Sequence, residues 1–557
     1  MAALSQDKAA DVRAAAAANP VARRLRVGLL AGARQPRWVI DAFQRVAASE
    51  FAEIAVLGIC EEDSPASGLS FQNLYSSVDR WAFGRDPSEL VDLAAGVPHK
   101  RLMIVPGAAE LAPLDLDVLF VLGALHDDRL DGLARHGLWR FSFGPEHGDA
   151  EALAGWREVA EDAPVTTSGI KVRLGAHRAE RLAYQSWSRT YPLSVARNRD
   201  RILRKTAEFP WRALRELHRS GRGWLEHCKQ VRENRGQSPF SGISATAMGK
   251  RALTPVFETL SSVGRRIARR SLEKALFVEQ WFIAYRFSSQ KLSEPRAVPP
   301  SLAGFRRILP PGDRYWADPF PLEKGGRYFV FFEEFPFATN KGHISMIELY
   351  RDGRHSPPQR VLERDHHLSY PFLVEHDGEL LMIPESAQKG AIEAYRCVDF
   401  PLRWKPERVL LDGVRCVDPT FHRAADRWWL FANAAAPGSR MFDDELHLFH
   451  AERLFGDWQP HARNPVKSDA RCARPAGGLY WQHGMLHRPA QICAPLYGSG
   501  LSVNRVLRLT PHEYSERQVQ RILPQPGSGL LGLHTVNRAG DLTVVDAFVR
   551  RPRIRVL

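Results

Sequence analysis

Trp316-Ala317-Asp318-Pro319-Phe320 opens a pattern that the second half of the chain repeats: Asp318-Pro319, Tyr370-Pro371, Asp418-Pro419 and Arg474-Pro475, with a weaker fifth copy at His534-Thr535. A lead rich in R-[VI]-L precedes each pair, as Arg307-Ile308-Leu309, Arg360-Val361-Leu362, Arg408-Val409-Leu410, a degenerate Asn464-Pro465-Val466 and Arg521-Ile522-Leu523. Across a turn, each copy continues into an apolar run of strand character: Tyr328 to Phe332, Leu380 to Ile383, Trp428 to Phe431, Met485-Leu486 and Leu542 to Val545. A period of roughly 50 residues holding about four short strands is the signature of a β-propeller blade. Five copies therefore predict a five-bladed ring around a central funnel.

The fifth copy runs out after two strands, and the stretch Trp281-Phe282-Ile283-Ala284-Tyr285-Arg286 stands just before the first lead. Pairing that segment with the C-terminal strands completes the last blade and removes two open sheet edges, which otherwise invite aggregation. The propeller is expected over residues 279–557.

A chain of 557 residues with net charge +14 is too long for one core and implies two or three domains. No window approaches the ~20 apolar residues of a membrane span, and the Ala-rich start, with Asp7, Lys8, Asp11 and Arg13, has no signal-peptide core. Residues 1–24 read as a disordered tail, and the cytoplasm is the expected compartment. The six cysteines have no metal-type spacing, so no metal is expected; Cys416 and Cys472 precede the blade motif and read as core positions.

Residues 25–190 follow a different rhythm. Arg26 to Leu30, Ile54 to Gly58, Met103 to Val105 and Val118 to Leu122 are short apolar runs separated by helix-length stretches such as Trp38 to Ala48 and Pro87 to Ala95. Such alternation predicts a Rossmann-like α/β domain with a parallel sheet. After the first strand only Gly28 and Gly32 stand where a G-x-G-x-x-G would, so no dinucleotide and no other cofactor is expected.

Two resemblances add to this reading. The strand Asp117 to Gly123, followed by Leu133 to Gly144, resembles the end of the cofactor-binding domain of formyltransferases. Aligned on Gly137, Arg140 and Ser142 replace that family's catalytic Asn and His, and no Asp follows Ile170 in a D-x-G-D turn. Formyl transfer needs a base and an oxyanion donor, so the resemblance implies a degenerate, non-catalytic domain; an unrelated α/β domain sharing one strand is the alternative. The propeller motifs W-A-D-P-F (Trp316 to Phe320), F-F-E-E (Phe331 to Glu334), S-Y-P-F (Ser369 to Phe372), V-D-P-T-F (Val417 to Phe421) and A-R-P-A-G (Ala473 to Gly477) resemble the N-terminal domain of glucosamine inositolphosphorylceramide transferases. They are also similar to five-bladed family 43 glycosidases, in which acidic residues on the first and third blades serve as general base and pKa-modulating Asp.

Counting symmetrically about each turn pairs Asp318 with Glu333, Tyr370 with Glu385, Asp418 with Asn433 and Arg474 with Gln491. These positions predict two polar rings on one face of the funnel. Glycoside hydrolysis uses two carboxyl groups facing one sugar. Asp318, Glu385 and Asp418 are the catalytic candidates, with Glu385 or Glu333 replacing the glycosidases' later-blade acid, where Arg474 stands. Glu333, Tyr370, Asn433, Arg474, Arg488, Gln491 and His534 are the substrate-binding candidates, with Arg474 expected either to hold an anionic substituent or to depress a neighbouring carboxylate's pKa. The plain alternative is that Asp-Pro and Arg-Pro only begin strands and bond turns.

Between the domains, residues 191–278 form a basic helical connector. Residues 195–275 hold 19 Lys and Arg against 7 Asp and Glu, most of the chain's excess. Arg204, Arg212, Arg215 and Arg219 interleave with Leu203, Trp211, Leu214 and Leu217, and Arg265, Arg266, Arg269 and Arg270 precede Leu272 and Leu276. Basic amphipathic helices lie on anionic membranes or hold phosphates; equally, they pack as solvated helices at a domain junction. No nucleic-acid recognition motif is present. The function expected is carbohydrate-active, in surface-glycan or glycolipid metabolism. The funnel would bind a sugar or glycolipid and either transform it as a glycosyl hydrolase or transferase, or hold it as a non-catalytic scaffold. Amino-sugar formyl transfer is the third choice.

Overall fold

Buried runs of Val, Leu and Ile that carry no charge form strands wherever both sheet faces are covered. Leu25–Ala31, Ala52–Ile59 and Val118–Val121 are such strands. The computed structural model describes residues 23–60, 89–122, 128–144, 154–175, 179–231, 253–288, 301–424, 426–435 and 441–553. The expected tail lies outside the described residues, save 23 and 24. The described residues divide into two compact units, Met1–Ala154 with Ser168–Gln185 and Arg199–Gly249, and Gly155–Thr167 with Ser186–Asn198 and Lys250–Leu557.

The first unit is built on a seven-stranded sheet in the order Leu102–Ile104, Ala52–Ile59, Leu25–Ala31, Val118–Val121, Leu138–Phe143, Val165–Arg173, Arg181–Arg189. Its first five strands pair in parallel and the sixth runs antiparallel. All four expected strands are present. The helix Arg37–Ala47 turns Trp38, Val39, Ile40, Phe43 and Val46 inward, and the Trp38 and Phe43 rings meet Phe141 and Phe120 edge-on at 4.8 and 5.1 Å. The helix expected over Pro87 to Ala95 is corrected: Leu90–Asp92 is a strand paired with Arg34–Pro36, followed by a single turn, Leu93–Gly96. Leu90 is half exposed and Pro98 follows, so the segment lacks the buried stripe that sustains a helix. Residues 87 and 88 lie outside the described residues.

The second unit contains five blades. In blade 1 the strands run from the axis outward as Arg314–Lys324, Arg327–Pro336, His343–Leu349 and Gln359–Leu362; in blade 2 as Ser369–His376, Glu379–Glu385, Ala391–Asp399 and Arg403–Asp412. Blade 3 uses Cys416–Ala424, Arg427–Ala434, Glu445–Ala451 and Gln459–Pro460, with Lys467–Ser468 also on its third strand. Blade 4 uses Tyr480–Gln482, Met485–Ile492, Gly500–Leu509 and Tyr514–Ile522. Blade 5 is closed as expected: Gly532–Ala539 and Leu542–Pro552 take Phe277–Phe287 and Arg306–Ile308 as their outer strands. The register runs unbroken from Phe277↔Pro552 to Phe287↔Leu542, so neither chain end leaves an open edge here. The repeated lead changes meaning, because Arg306–Ile308, Gln359–Leu362 and the stretch Arg408 to Leu410 are outer strands of the preceding blade. Cys416 and Cys472 are buried, as their placement before the motif implied.

Candidate functional site

The Asp-Pro motif does not begin a regular strand; it makes a bulge. Ala317 pairs with Glu333 and Phe320 with Phe331, which leaves Asp318 and Pro319 opposite a single residue. Blades 2, 3 and 5 slip in the same way, at Tyr370-Pro371, Asp418-Pro419 and His534-Thr535. The cause is local: proline brings no N–H to the ladder, and Asp318, Tyr370 and Asp418 take left-handed φ of 51°, 46° and 52°. Asp enters that region at little cost. The pairing expected from symmetric counting is therefore corrected by one residue, to Ala317↔Glu333, Ser369↔Glu385 and Val417↔Asn433.

At two of these bulges, in blades 1 and 3, the freed backbone N–H is accepted by a carboxylate from the preceding blade. Asp318 N–H donates to Asp546 Oδ2 at 2.8 Å and Asp418 N–H to Glu385 Oε2 at 3.2 Å. Asp546 also accepts the N–H groups of His534 and Thr535 at 3.1 and 2.7 Å and the Thr535 hydroxyl at 3.0 Å. It joins the last blade to the first.

Two buried clusters result. Around Asp318 stand the Thr535 hydroxyl (2.7 Å) and His534, whose Nε2 is 3.4 Å from Asp318 and whose Nδ1 is 2.6 Å from Asp546, out of line for a hydrogen bond. Around Asp418 stand Arg474, with Nε at 2.5 Å, and the Gln491 amide at 2.8 Å; Arg474 also approaches Asp443 at 3.6 Å and lies over the Tyr497 ring. Arg189 pairs with the same Asp443 at 2.7 Å. Glu333 accepts from the Tyr315 hydroxyl at 3.0 Å and faces His367 Nε2 at 3.4 Å. Of the three catalytic candidates, Asp318 and Asp418 are buried while Glu385 keeps partial contact with solvent.

The carboxyl groups sense one another across the axis. Burial pushes Asp318 up to about 6; His534 opposes the rise, and Asp546 and Asp418 add to it. Burial and then the charge of Asp418 hold Glu385 well above the usual carboxylate range, and burial and then Asp318 do the same for Glu333. His534 is raised: burial works against its charge, and Asp546 and Asp318 outweigh it. One end of the funnel thus combines Glu385 and Glu333, held well above the ordinary carboxylate range, with Asp318, raised to about 6.

Asp318, His534 and Asp546 bring one donor atom each within 4.8 Å, the spacing of a metal site. The Asp546 oxygens, however, already accept three N–H groups and a hydroxyl, so internal hydrogen bonds close this cluster.

Several expected substrate contacts are instead structural. Arg488 is fully buried, paired with Glu516 at 2.7 and 2.8 Å and bonded to the carbonyls of Cys472 and Ala473; it is a core ion pair of blade 4 and does not face the funnel. Tyr370 is also fully buried, with its hydroxyl bonded to Thr420 at 2.8 Å and accepting the Gly477 N–H at 2.7 Å, which ties blades 2, 3 and 4 together. Asn433 and Gln491 have no exposure. A cavity of about 540 Å³ lies by the hairpin turns at the opposite end of the inner strands, lined by Glu323, Phe372, Glu375, Tyr480 and Arg538 among others, and none of the ten expected site residues borders it. Sequence reading missed Asp546 and the partly accessible aromatics of the carboxyl end: Tyr315, stacked on Phe335 at 4.7 Å, and Tyr497, near Trp281 and His534.

The second unit thus defines a five-bladed β-propeller with an acid-rich axial site. Within it, residues 310–536 match the family model described as glucosamine inositolphosphorylceramide transferase 1, N-terminal. The chain is 33% identical over 203 residues to glucosamine inositolphosphorylceramide transferase 1 of Oryza sativa subsp. japonica, covering 36% of this chain and 27% of that protein. With the protein of the same name from Arabidopsis thaliana it is 32% identical over 208 residues, covering 37% and 27%. It therefore spans about a quarter of the length of these curated relatives. Among solved structures, a family 117 glycoside hydrolase from Zobellia galactanivorans aligns at 10% identity and TM-score 0.32, covering 48% of this chain and 90% of that one. An α-L-arabinanase of Cellvibrio cellulosa in complex with arabinohexaose aligns at 14% and 0.30, covering 36% and 77%.

Proposed function

We propose that the carboxyl end of the funnel is a sugar site that performs acid–base chemistry on a glycan or glycolipid. Glu385 is the proton donor and Asp318 the proton acceptor; burial and then Asp418, fixed by Arg474 and Gln491, raise Glu385. One observation carries this: Glu385, a partly accessible carboxyl that burial and then Asp418 hold well above the ordinary range, shares one end of the funnel with Asp318, which is raised to about 6. Splitting two acids in this way is how one site supplies both proton transfers. With Glu333 and Glu385 raised and set aside, Asp318, Asp418 and Asp546 still outnumber Arg474 and His534, and Arg474 is held by Asp418. The ligand best suited is therefore a neutral or amino-bearing sugar; of the two roles expected of Arg474, depressing a neighbouring carboxylate's pKa, as it does toward Glu385, fits better than holding an anionic substituent. The matched relatives, whose name joins glucosamine to inositolphosphorylceramide, support this reading.

The test is to incubate the full chain with oligosaccharides and glycolipids ending in amino or neutral sugars and to follow products by mass spectrometry. Glu385→Gln and Asp318→Asn should abolish turnover while binding stays within about tenfold. Full turnover in both variants refutes the assignment.

A non-catalytic glycan-binding scaffold is the second reading. It is favoured by the hydrogen bonds that already occupy Asp418 and by the burial of Asp318. Binding without turnover in the wild type selects it. Amino-sugar formyl transfer gains no support, since Arg140 and Ser142 are buried within a strand, and Gly137 has a structural reason of its own: φ of 80° and a would-be Cβ 2.1 Å from the Arg173 carbonyl oxygen.

A further inference from the structure

The helix Leu253–Leu276 belongs to the propeller unit and buries one side only. Thr259, Val263 and Arg266 face inward, and Arg266 is pinned by the Val159 carbonyl at 2.6 Å and by Asp162 at 3.1 Å. At ~100° per residue, Ala268, Leu272, Ala275 and Leu276 gather on the opposite side, with Ile267 between that side and the buried one. All five are exposed, Leu272 at 60% and Leu276 at 50%. Arg265 falls between Leu272 and Leu276 within this stripe and Arg269 beside Leu276, while Lys274 lies away from it toward the buried side; all three are exposed. Glu273 pairs with Arg550 at 3.1 Å and Arg269 at 3.8 Å, the exposed Glu279 shares Arg550 at 3.3 Å, and Arg553 adds another exposed cation at the end of the helix.

We propose that this half-helix is an interfacial anchor that seats the propeller on an anionic lipid surface. A short apolar stripe with cations within and beside it is the pattern of a basic amphipathic helix lying in the headgroup plane, with leucines in the acyl boundary and basic groups among the lipid charges. A second copy of the chain is disfavoured as the occupant, since two such faces would bring like charges together. Among the described residues no helix is long and apolar enough to cross a membrane, so the contact is with the surface. Its position matters for the funnel. Leu276 leads directly into Phe277–Phe287, where the Gln280 amide bonds the carbonyls of Pro311 and Arg314 at the start of blade 1's inner strand, and Trp281 lies 4.1 Å from the His534 ring. Five residues of strand span roughly 17 Å, so the anchor stands at the carboxyl end of the funnel and turns that end toward the lipid. The anchoring itself does not depend on the funnel's chemistry.

The experiment is flotation of the full chain with vesicles of phosphatidylcholine alone and of phosphatidylcholine with about one third phosphatidylglycerol. Anchoring predicts binding to the anionic vesicles, weakened by added salt, little binding to the neutral ones, and a loss of at least tenfold in Leu272→Glu/Leu276→Glu. Arg265→Glu/Arg269→Glu should weaken binding by roughly fivefold or more for each basic group removed. Leu272→Trp serves as an independent reporter, since the fluorescence of the introduced indole should be quenched by brominated acyl chains. Equal binding to neutral vesicles, no binding, unchanged binding in both charge-altering pairs, or no quenching in Leu272→Trp overturns the proposal. So does a dimer in solution that Leu272→Glu/Leu276→Glu converts to monomer.

Discussion

Replacing Asp546 with Asn tests whether one buried carboxylate locks the last blade to the first. In the wild type its two oxygens accept the N–H groups of Asp318, His534 and Thr535 and the Thr535 hydroxyl, all within 3.1 Å and without solvent contact. An asparagine keeps its oxygen toward His534 and Thr535 but turns an NH₂ toward the Asp318 N–H, which loses its acceptor. A buried donor left unsatisfied costs about 1–3 kcal/mol, and the two remaining bonds lose their charge assistance. The seam should weaken by about 2–4 kcal/mol, equivalent to roughly 30- to 900-fold faster local amide exchange. Hydrogen exchange followed by mass spectrometry should place the change in peptides from 314–324 and 532–539 while those from 369–376 and 416–424 hold. Unchanged exchange at the seam, or equal acceleration in all five blades, would refute the latch.

Other expectations follow from the same geometry. Asp318 has a folded-state pKa near 6 against an ordinary 3.8, so folding takes up its proton between these values. Stability from this group is complete below about pH 4 and lost as pH rises through 6, on the order of 3 kcal/mol; urea midpoints should show the fall, and Asp318→Asn should flatten it. Glu516 is pulled down to about 2, against burial, by Arg488 and then Lys467, so its contribution is present above its ordinary pKa of 4.5 and is lost as pH falls toward 2. Arg488→Met leaves that carboxylate buried with Lys467 and the Tyr514 hydroxyl, and thermal unfolding should show a loss of about 3–5 kcal/mol, restored only in part by adding Glu516→Leu, which removes the partner of Lys467. Gly477→Ala places a Cβ 2.1 Å from the Val536 carbonyl oxygen at a φ of 121°. It should lower the melting temperature more than most surface changes, and a normal melting curve would contradict the close approach of blades 4 and 5.

The blades were legible because each repeats one apolar alternation, and the closing strand because an unmatched apolar segment stood beside an incomplete copy. Where one blade ends was not legible, since a repeat can be cut anywhere, and the R-[VI]-L leads proved to be the outer strands of their predecessors. Symmetric counting failed at the bulges because it assumes one residue facing one. Proline on an inner strand was the available warning, as it cannot donate to the ladder. Asp546 carried a signal that went unused: a lone charge within Val544-Val545-Asp546-Ala547-Phe548, at the register position filled by Phe332, Pro384 and Ala432 in other blades. Arg488 was misassigned because its partner Glu516 lies two strands away, a distance that no motif records.

The most direct test of the funnel as a sugar site is an array of glycans ending in neutral, amino and acidic sugars, probed with the full chain, Tyr497→Ala and Glu385→Gln. An acid-lined site edged by aromatics predicts retention of neutral or amino-terminated glycans, loss of that retention in Tyr497→Ala, and its survival in Glu385→Gln. Binding to no glycan, binding to acidic termini alone, or undiminished binding by Tyr497→Ala would contradict it.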